Sequence, residues 1–301
     1  MGSMGYAGLL AMEPTNGSFD ANSECYEFLS ESMKKTGVIL DTSGIRGTRS
    51  HHSNNTRTGP YEVGGSITIV PHPAGLDLIL PRIMGAAEST DTFALADGLN
   101  LAGSQYFGLM VDRVAKVFTY AGCLIDKAIF RGQAGGFVEL QLDIIGQSES
   151  VGNAGSFPAI TPSVAANAAP YVFTDGVCTL VSSARVITEF EVTIDNQLRR
   201  RMSNSLTATS IDASDRIVTC KFKTPYTSSE TDLYGQALAG SAATLVLTNG
   251  NMSTTMTFAT IQFPDNSPTI TGKDEIPLEL EGIARMSSTT KELVVTHDST
   301  A

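Results

Sequence analysis

The chain has 301 residues, 42% of them hydrophobic and 17% charged, and a formal net charge of -11. That length supports a substantial core, and its wealth of Ser, Thr, Gly and Asn suits many strands joined by turns. An acidic balance argues against broad nucleic-acid gripping, which needs a basic surface, and no apolar run approaches the ~18 residues of a membrane helix.

The start, "MGSMGYAGLLAMEP", has no basic region ahead of its apolar residues, so no signal peptide is expected. Cys25, Cys123, Cys178 and Cys220 are scattered without a C-x-x-C pair, which favours reduced thiols in a cytoplasmic setting. The sequons at Asn16, Asn54 and Asn251 then carry no meaning. Residues 46–60, "RGTRSHHSNNTRTGP", read as a long polar loop. Its His51–His52 pair lacks a Cys or His partner at ligand spacing and reads as exposed, not as a metal site.

A strand is expected over 61–70, then a helix over 73–85, "PAGLDLILPRIMG", where Leu76, Ile79, Leu80 and Ile83 recur at helical spacing. Pro73 suits its start and Gly85 its stop, while Pro81 should kink or shorten it. Further strands are expected at 105–121 and 123–131. From 138 to 144, Val138, Leu140, Leu142 and Ile144 alternate with Glu139, Gln141 and Asp143, the period of a strand with one buried and one wet face. Residues 147–170 are rich in Gly, Ala, Ser and Pro and nearly uncharged. They read either as a flexible linker or as an ordered loop packed on a neighbouring subunit.

In the second half a strand is expected at 171–182. Alternation follows over 185–195 (Val186, Thr188, Phe190, Val192, Ile194 against Glu189, Glu191, Asp195), 217–222 and 275–284, where Ile276, Leu278 and Leu280 oppose Glu279 and Glu281. Weaker strands fall near 243–248, 253–263 and 291–297. A Ser-x-x-Asp capping box opens a short helix over 229–238.

No Walker loop, dinucleotide fingerprint, nucleophile elbow or H-E-x-x-H occurs, so no cofactor, metal or catalytic residue is assigned. The i, i+2 pairs Glu189/Glu191 and Glu279/Glu281 are the spacing of a glycosidase dyad and equally of any solvated strand face, and the aromatic platforms of a sugar cleft are missing. Arg199, Arg200 and Arg201 have no interleaved aromatics for nucleic acid. Three readings stay open: a solvated turn, a contact with an acidic surface of another copy, since guanidinium forks suit carboxylates, and, behind both, a grip on DNA.

The order of several segments resembles the tail tube proteins (major tail proteins) of long-tailed bacteriophages. They are "YEVGGSITIVPHPAGLDLILPRIMG" (61–85), "FEVTIDNQL" (190–198), "NSLTATSIDASDRIVTCKFKTPY" (204–226), "LTNGNMS" (247–253), "FPDNSPTITGKDEIPLELEGIA" (263–284) and "LVVTHDS" (293–299). The resemblance spans about 60–145 and 170–300, and does not include the 147–170 segment or the arginine triplet.

It implies a mainly β, antiparallel sandwich or barrel with one or two short helices. The chain then divides into an N-terminal arm, strand and loop (1–60), two halves of one β domain (61–146 and 171–301) and the loop 147–170. Sheets from six copies close into a ring, and rings stack into a hollow tube that guides DNA into the host. Its implied partners are further copies of itself and the tape-measure, tail-tip and tail-terminator proteins. Its implied location is the virion tail, assembled in the host cytoplasm. A tube subunit of a contractile or secretion device, and a β-sandwich carbohydrate module, are the alternatives.

Exposed sheet edges must be paired or covered, and head-to-tail ring closure does this. Stacking contacts are expected from 147–170, 46–60 and the first twenty residues. DNA must also pass without sticking, so an acidic strand face is expected to line the bore, drawn from Glu139/Asp143, Glu189/Glu191 and Glu279/Glu281. Arg199, Arg200 and Arg201 are expected away from it.

Overall fold

The computed structural model describes residues 4–14, 19, 23–42, 44–86, 89–97, 106–158, 169–227, 240–264, 267–270, 272–273 and 275–299. The protein is mainly β and antiparallel, with one α-helix among these residues. The helix expected at 229–238 lies outside the described residues.

The N-terminal segment supplies β1 (Leu9–Glu13), β2 (Glu24–Tyr26), β3 (Ser30–Glu31), β4 (Lys34–Asp41) and β5 (Thr56–Ile69). Two expectations change here. The loop read over 46–60 ends at Thr56, where β5 begins. Of the first twenty residues, β1 is buried between β2 and β7 (Phe107–Asp112), leaving residues 4–8 on the surface.

Next come the helix α1 (Leu76–Met84) and β6 (Thr92–Ala94). Leu76, Ile79, Leu80, Ile83 and Met84 of α1 are buried. The helix ends at Gly85, whose φ of 72° is left-handed and whose N–H reaches the Pro81 carbonyl at 3.0 Å. Pro81 stays inside the helix at the cost of one bond, and the shortening falls at the other end, where residues 73–75 form a turn.

After β7 comes β8 (Lys116–Gln133), the longest strand. The strands expected at 105–121 and 123–131 divide elsewhere, at 113–115, and Gly122 falls inside β8. It has a φ of 64°, yet the strand runs through it, with Gln147 packed where a side chain would stand. β8 serves two sheets. Its first half pairs β7 and β10 (Ser148–Asn153), and its second half pairs β9 (Glu139–Gly146) and β13 (Glu189–Asp195). The segment 147–170 read as one loop therefore begins as strand β10.

The rest comprises β11 (Gly176–Leu180), β12 (Ser183–Arg185), β14 (Leu198–Arg201), β15 (Ser210–Ala213), β16 (Ile217–Pro225), β17 (Ser241–Asn249), β18 (Met252–Gln262), β19 (Pro277–Arg285) and β20 (Leu293–Asp298). The first sheet runs β4–β5–β9–β8–β13–β16–β19. The second runs β12–β11–β17–β18–β20–β6 and joins the first where residues 260–262 of β18 meet 283–285 of β19. The ladder does not close into a barrel.

One core fills the space between these sheets, and the inward alternation of each strand feeds it. Leu140, Leu142, Phe130, Phe190, Val192, Cys220, Phe222, Leu278 and Leu280 enter from the first sheet. Cys178, Leu245, Leu247, Met256, Phe258 and Val295 enter from the second.

Candidate functional site

The opposite face of the first sheet is open, and there the acidic positions of the sequence come together. Strand register sets them in cross-strand rows. One row reads Glu139, Arg131, Glu191, Lys221, Glu281 across β9, β8, β13, β16 and β19. The next reads Gln133, Glu189, Lys223, Glu279, and a third reads Asp143, Lys127, Asp195. Between them runs an uncharged row of Gln141, Ile129, Thr193, Thr219 and Ile283.

Acid and base therefore alternate along every charged row. Arg131 Nη2 lies 2.8 Å from Glu139 Oε2, Lys127 Nζ 3.1 Å from Asp195, and Lys223 Nζ 3.2 Å from Glu279. Gln141 Nε2 donates to Asp143 at 3.1 Å. Opposite charges directly across a strand pair support the register, where a row of like charges would oppose it. Seven carboxylates meet four cations in these rows, so the face remains net negative.

All six acidic residues singled out from the sequence thus share this face. What their strand-by-strand spacing did not reveal is the interleaving with Lys127, Arg131, Lys221 and Lys223. The pairs Glu189/Glu191 and Glu279/Glu281 stand on an open sheet opposite lysines, not in a cleft. Among the described residues no group of three or more His, Cys, Asp or Glu is placed to hold a metal ion, and no helix is long and apolar enough to cross a membrane. His51 lies in the exposed β4–β5 connection, 2.7 Å from Asp41.

One end of this face is capped by the β14–β15 hairpin, which buries Leu198 and Ile211 on Leu124 and Ile145. The hairpin is fastened at a bulge in β8. Asn196 donates its backbone N–H to the Asp126 carbonyl at 2.7 Å, and Leu198 donates to the Asp126 carboxylate at 2.6 Å. Burial raises the Asp126 pKa, and the Leu198 N–H only partly offsets it.

The arginine triplet lies on this hairpin, in a strand and not a turn. Arg200 reaches Glu62 at 3.4 Å and donates to the Val63 carbonyl at 2.7 Å, while Arg201 is 3.0 Å from Asp212. Two of the three guanidinium groups thus find carboxylates within the chain, and Arg199 remains exposed.

The pair Gly64–Gly65 is explained by the same corner. A Cβ at residue 64 would stand 2.7 Å from Arg200 Nη2 and 2.9 Å from the Ile144 carbonyl, and one at residue 65 would stand 2.5 Å from the Ser32 carbonyl. Sequence reasoning missed a buried polar chain as well. His297, wholly enclosed, places Nδ1 2.8 Å from Thr254 Oγ1 and Nε2 3.2 Å from Asp77 of α1, and Tyr171 completes it at 2.9 Å from Thr254. Contacts between segments remote in the chain assemble this group, so no local motif signals it.

No curated protein sequence matches this one. The family model described as phage tail tube protein matches residues 9–284, nearly all of the chain and every strand of the charged face. By that match the chain belongs to the phage tail tube protein family, a structural component of the virion tail.

Proposed function

We propose that six copies of this chain close into a ring, that rings stack into the tail tube, and that the charge-laddered face of the first sheet lines the bore. The carrying observation is that Glu139, Asp143, Glu189, Glu191, Glu279 and Glu281 share one uncovered face with an excess of carboxylate over cation.

Such a lining suits transit of double-stranded DNA. Carboxylates repel phosphate, and Lys127, Arg131 and Lys223 are already held against carboxylates. A passing phosphate must break an ion pair to gain one, so contacts do not accumulate into retention.

Residues 61–146 and 171–301 act as halves of one tube domain. Residues 4–8 and the exposed connection 44–55 are the stacking contacts, along with the part of 147–170 beyond β10. Contact between copies through the arginine triplet falls to Arg199, because Arg200 and Arg201 are engaged internally. Tape-measure, tail-tip and tail-terminator proteins are the further partners, met during assembly in the host cytoplasm.

Electron microscopy of the purified chain at high concentration tests this reading. Hollow filaments of uniform width with Glu191 and Lys221 facing the bore are expected. A chain that stays monomeric, or a tube with this face turned outward, overturns it.

A further inference from the structure

The first sheet has two unfinished margins. Along residues 277–282, β19 is bonded only to β16, because β18 joins it only at 283–285. Among the described residues no other backbone reaches that side. A groove of about 600 Å³ opens at its end, where β18 joins, lined by Thr219, Gln262, Pro264, Glu281, Gly282 and Ile283.

At the far margin, among the described residues, β4 is bonded only to β5, and all eight of its residues are exposed. Val38, Ile39 and Leu40 stand 54%, 76% and 53% accessible. A long apolar strand edge of this kind invites pairing and is normally covered.

Chemistry at the two edges is complementary. Along its free stretch β19 presents Glu279 and Glu281, and residues 283–285, held by β18, take no part. On β4, Lys34 stands opposite Gly64, itself opposite Ile145, so it shares the charged face with the glutamates, while Lys35 points to the other face.

Topology gives the direction of pairing. Six antiparallel steps separate β4 from β19, an even number, so the two point the same way within one chain. Rotation about a ring axis preserves that sense, so the β4 of a neighbouring copy would arrive parallel to β19.

We infer that the open edge of β19 at 277–282 is completed by β4 of a second copy of this chain, paired parallel, with Lys34 on the face of Glu279 and Glu281. The inference rests on the ring-forming reading above and adds which edges meet and in what sense.

Zero-length carbodiimide coupling on assembled full-length protein, mixed from ¹⁵N-labelled and unlabelled chains, tests it by mass spectrometry. Mixed-isotope links between Lys34 and Glu279 or Glu281 are expected. Reversing one side, Lys34→Glu, should lower tube yield about fivefold or more. Adding Glu279→Lys and Glu281→Lys should restore it.

Tubes that form without such links, or links joining either edge to another segment, overturn the inference and leave the tube reading standing. A wild-type chain that forms no tubes removes both. If the reversed variants fail to fold, the wild-type cross-links decide alone.

Discussion

Arg200 lies across the backbone of Gly64, donating from Nη2 to the Val63 carbonyl at 2.7 Å where any side chain at residue 64 would stand. The contact joins the β14–β15 hairpin to β5 of the first sheet. Gly64→Ala should therefore destabilise the protein by about 1–3 kcal/mol, the range for forcing extra atoms into packed space. In an Arg200→Ala background the cost should fall but not vanish, because the Ile144 carbonyl also blocks the site at 2.9 Å. Denaturant unfolding of the four members of that cycle checks it, and equal costs in both backgrounds would show no coupling.

Glu191 stands between Arg131 and Lys221. Glu191→Lys makes three like charges in a row and should cost about 0.2–1 kcal/mol for each opposed pair, against almost nothing for Glu191→Gln. If this face lines the bore, phage carrying the lysine variant should also release DNA more slowly, most clearly at low salt. Normal release at low ionic strength would remove the face from the bore.

The four cysteines are buried, and burial pushes the Cys178 thiol up to about 12 and raises those of Cys123 and Cys220 as well. Thiolate is the reactive form. A disulfide-exchange reagent at pH 8 should therefore find no reactive thiol in the native protein and all four after denaturation. One fast native thiol would contradict the packing of its strand.

Asp126 has a folded-state pKa above its ordinary value of 3.8, chiefly through burial. The folded state thus holds this proton more tightly than the unfolded one. The stability Asp126 contributes is greatest below about pH 4 and declines as pH rises through the raised value. Asp126→Asn keeps an acceptor for the Leu198 N–H and removes the charge. Wild type and variant should converge at low pH, with the variant more stable at pH 7. Solvent reaching the site keeps the difference below about 1 kcal/mol. Thermal melts across that range measure it, and a variant that is less stable at pH 7 would refute the sign.

His297→Leu removes the partner shared by Thr254 and Asp77 and leaves Tyr171 bonded to Thr254. Losing one bond of a buried chain costs about 0.5–1.5 kcal/mol, so a loss of that size is expected by calorimetry. An unchanged melting temperature would mean the chain of hydrogen bonds adds nothing net.

Alternation made β9, β13, β16 and β19 legible, because a strand with one buried and one wet face writes its period into the sequence. The same rule overran at Val186. Polarity alternates from residue 185, yet the ladder starts at Glu189, and Val186 is 73% exposed. Periodicity records polarity, not what lies opposite.

That limit also hid the basic half of the charged face. Lys221 opposes Glu191 across thirty positions, and Lys223 opposes Glu279 across more than fifty, a register that only the assembled sheet fixes. The arginine triplet was ambiguous for the same reason. Glu62, the partner of Arg200, lies in the other half of the chain.

The double service of β8 bears on how the chain is made. Its second half stays without a neighbour on one side until residues 189–195 emerge from the ribosome and close a long loop onto it. A nascent or prematurely terminated polypeptide therefore exposes a raw flank in mid-sheet, not at its rim. Such a fragment has no completed surface to offer, and a growing polymer would admit only molecules synthesised past that point.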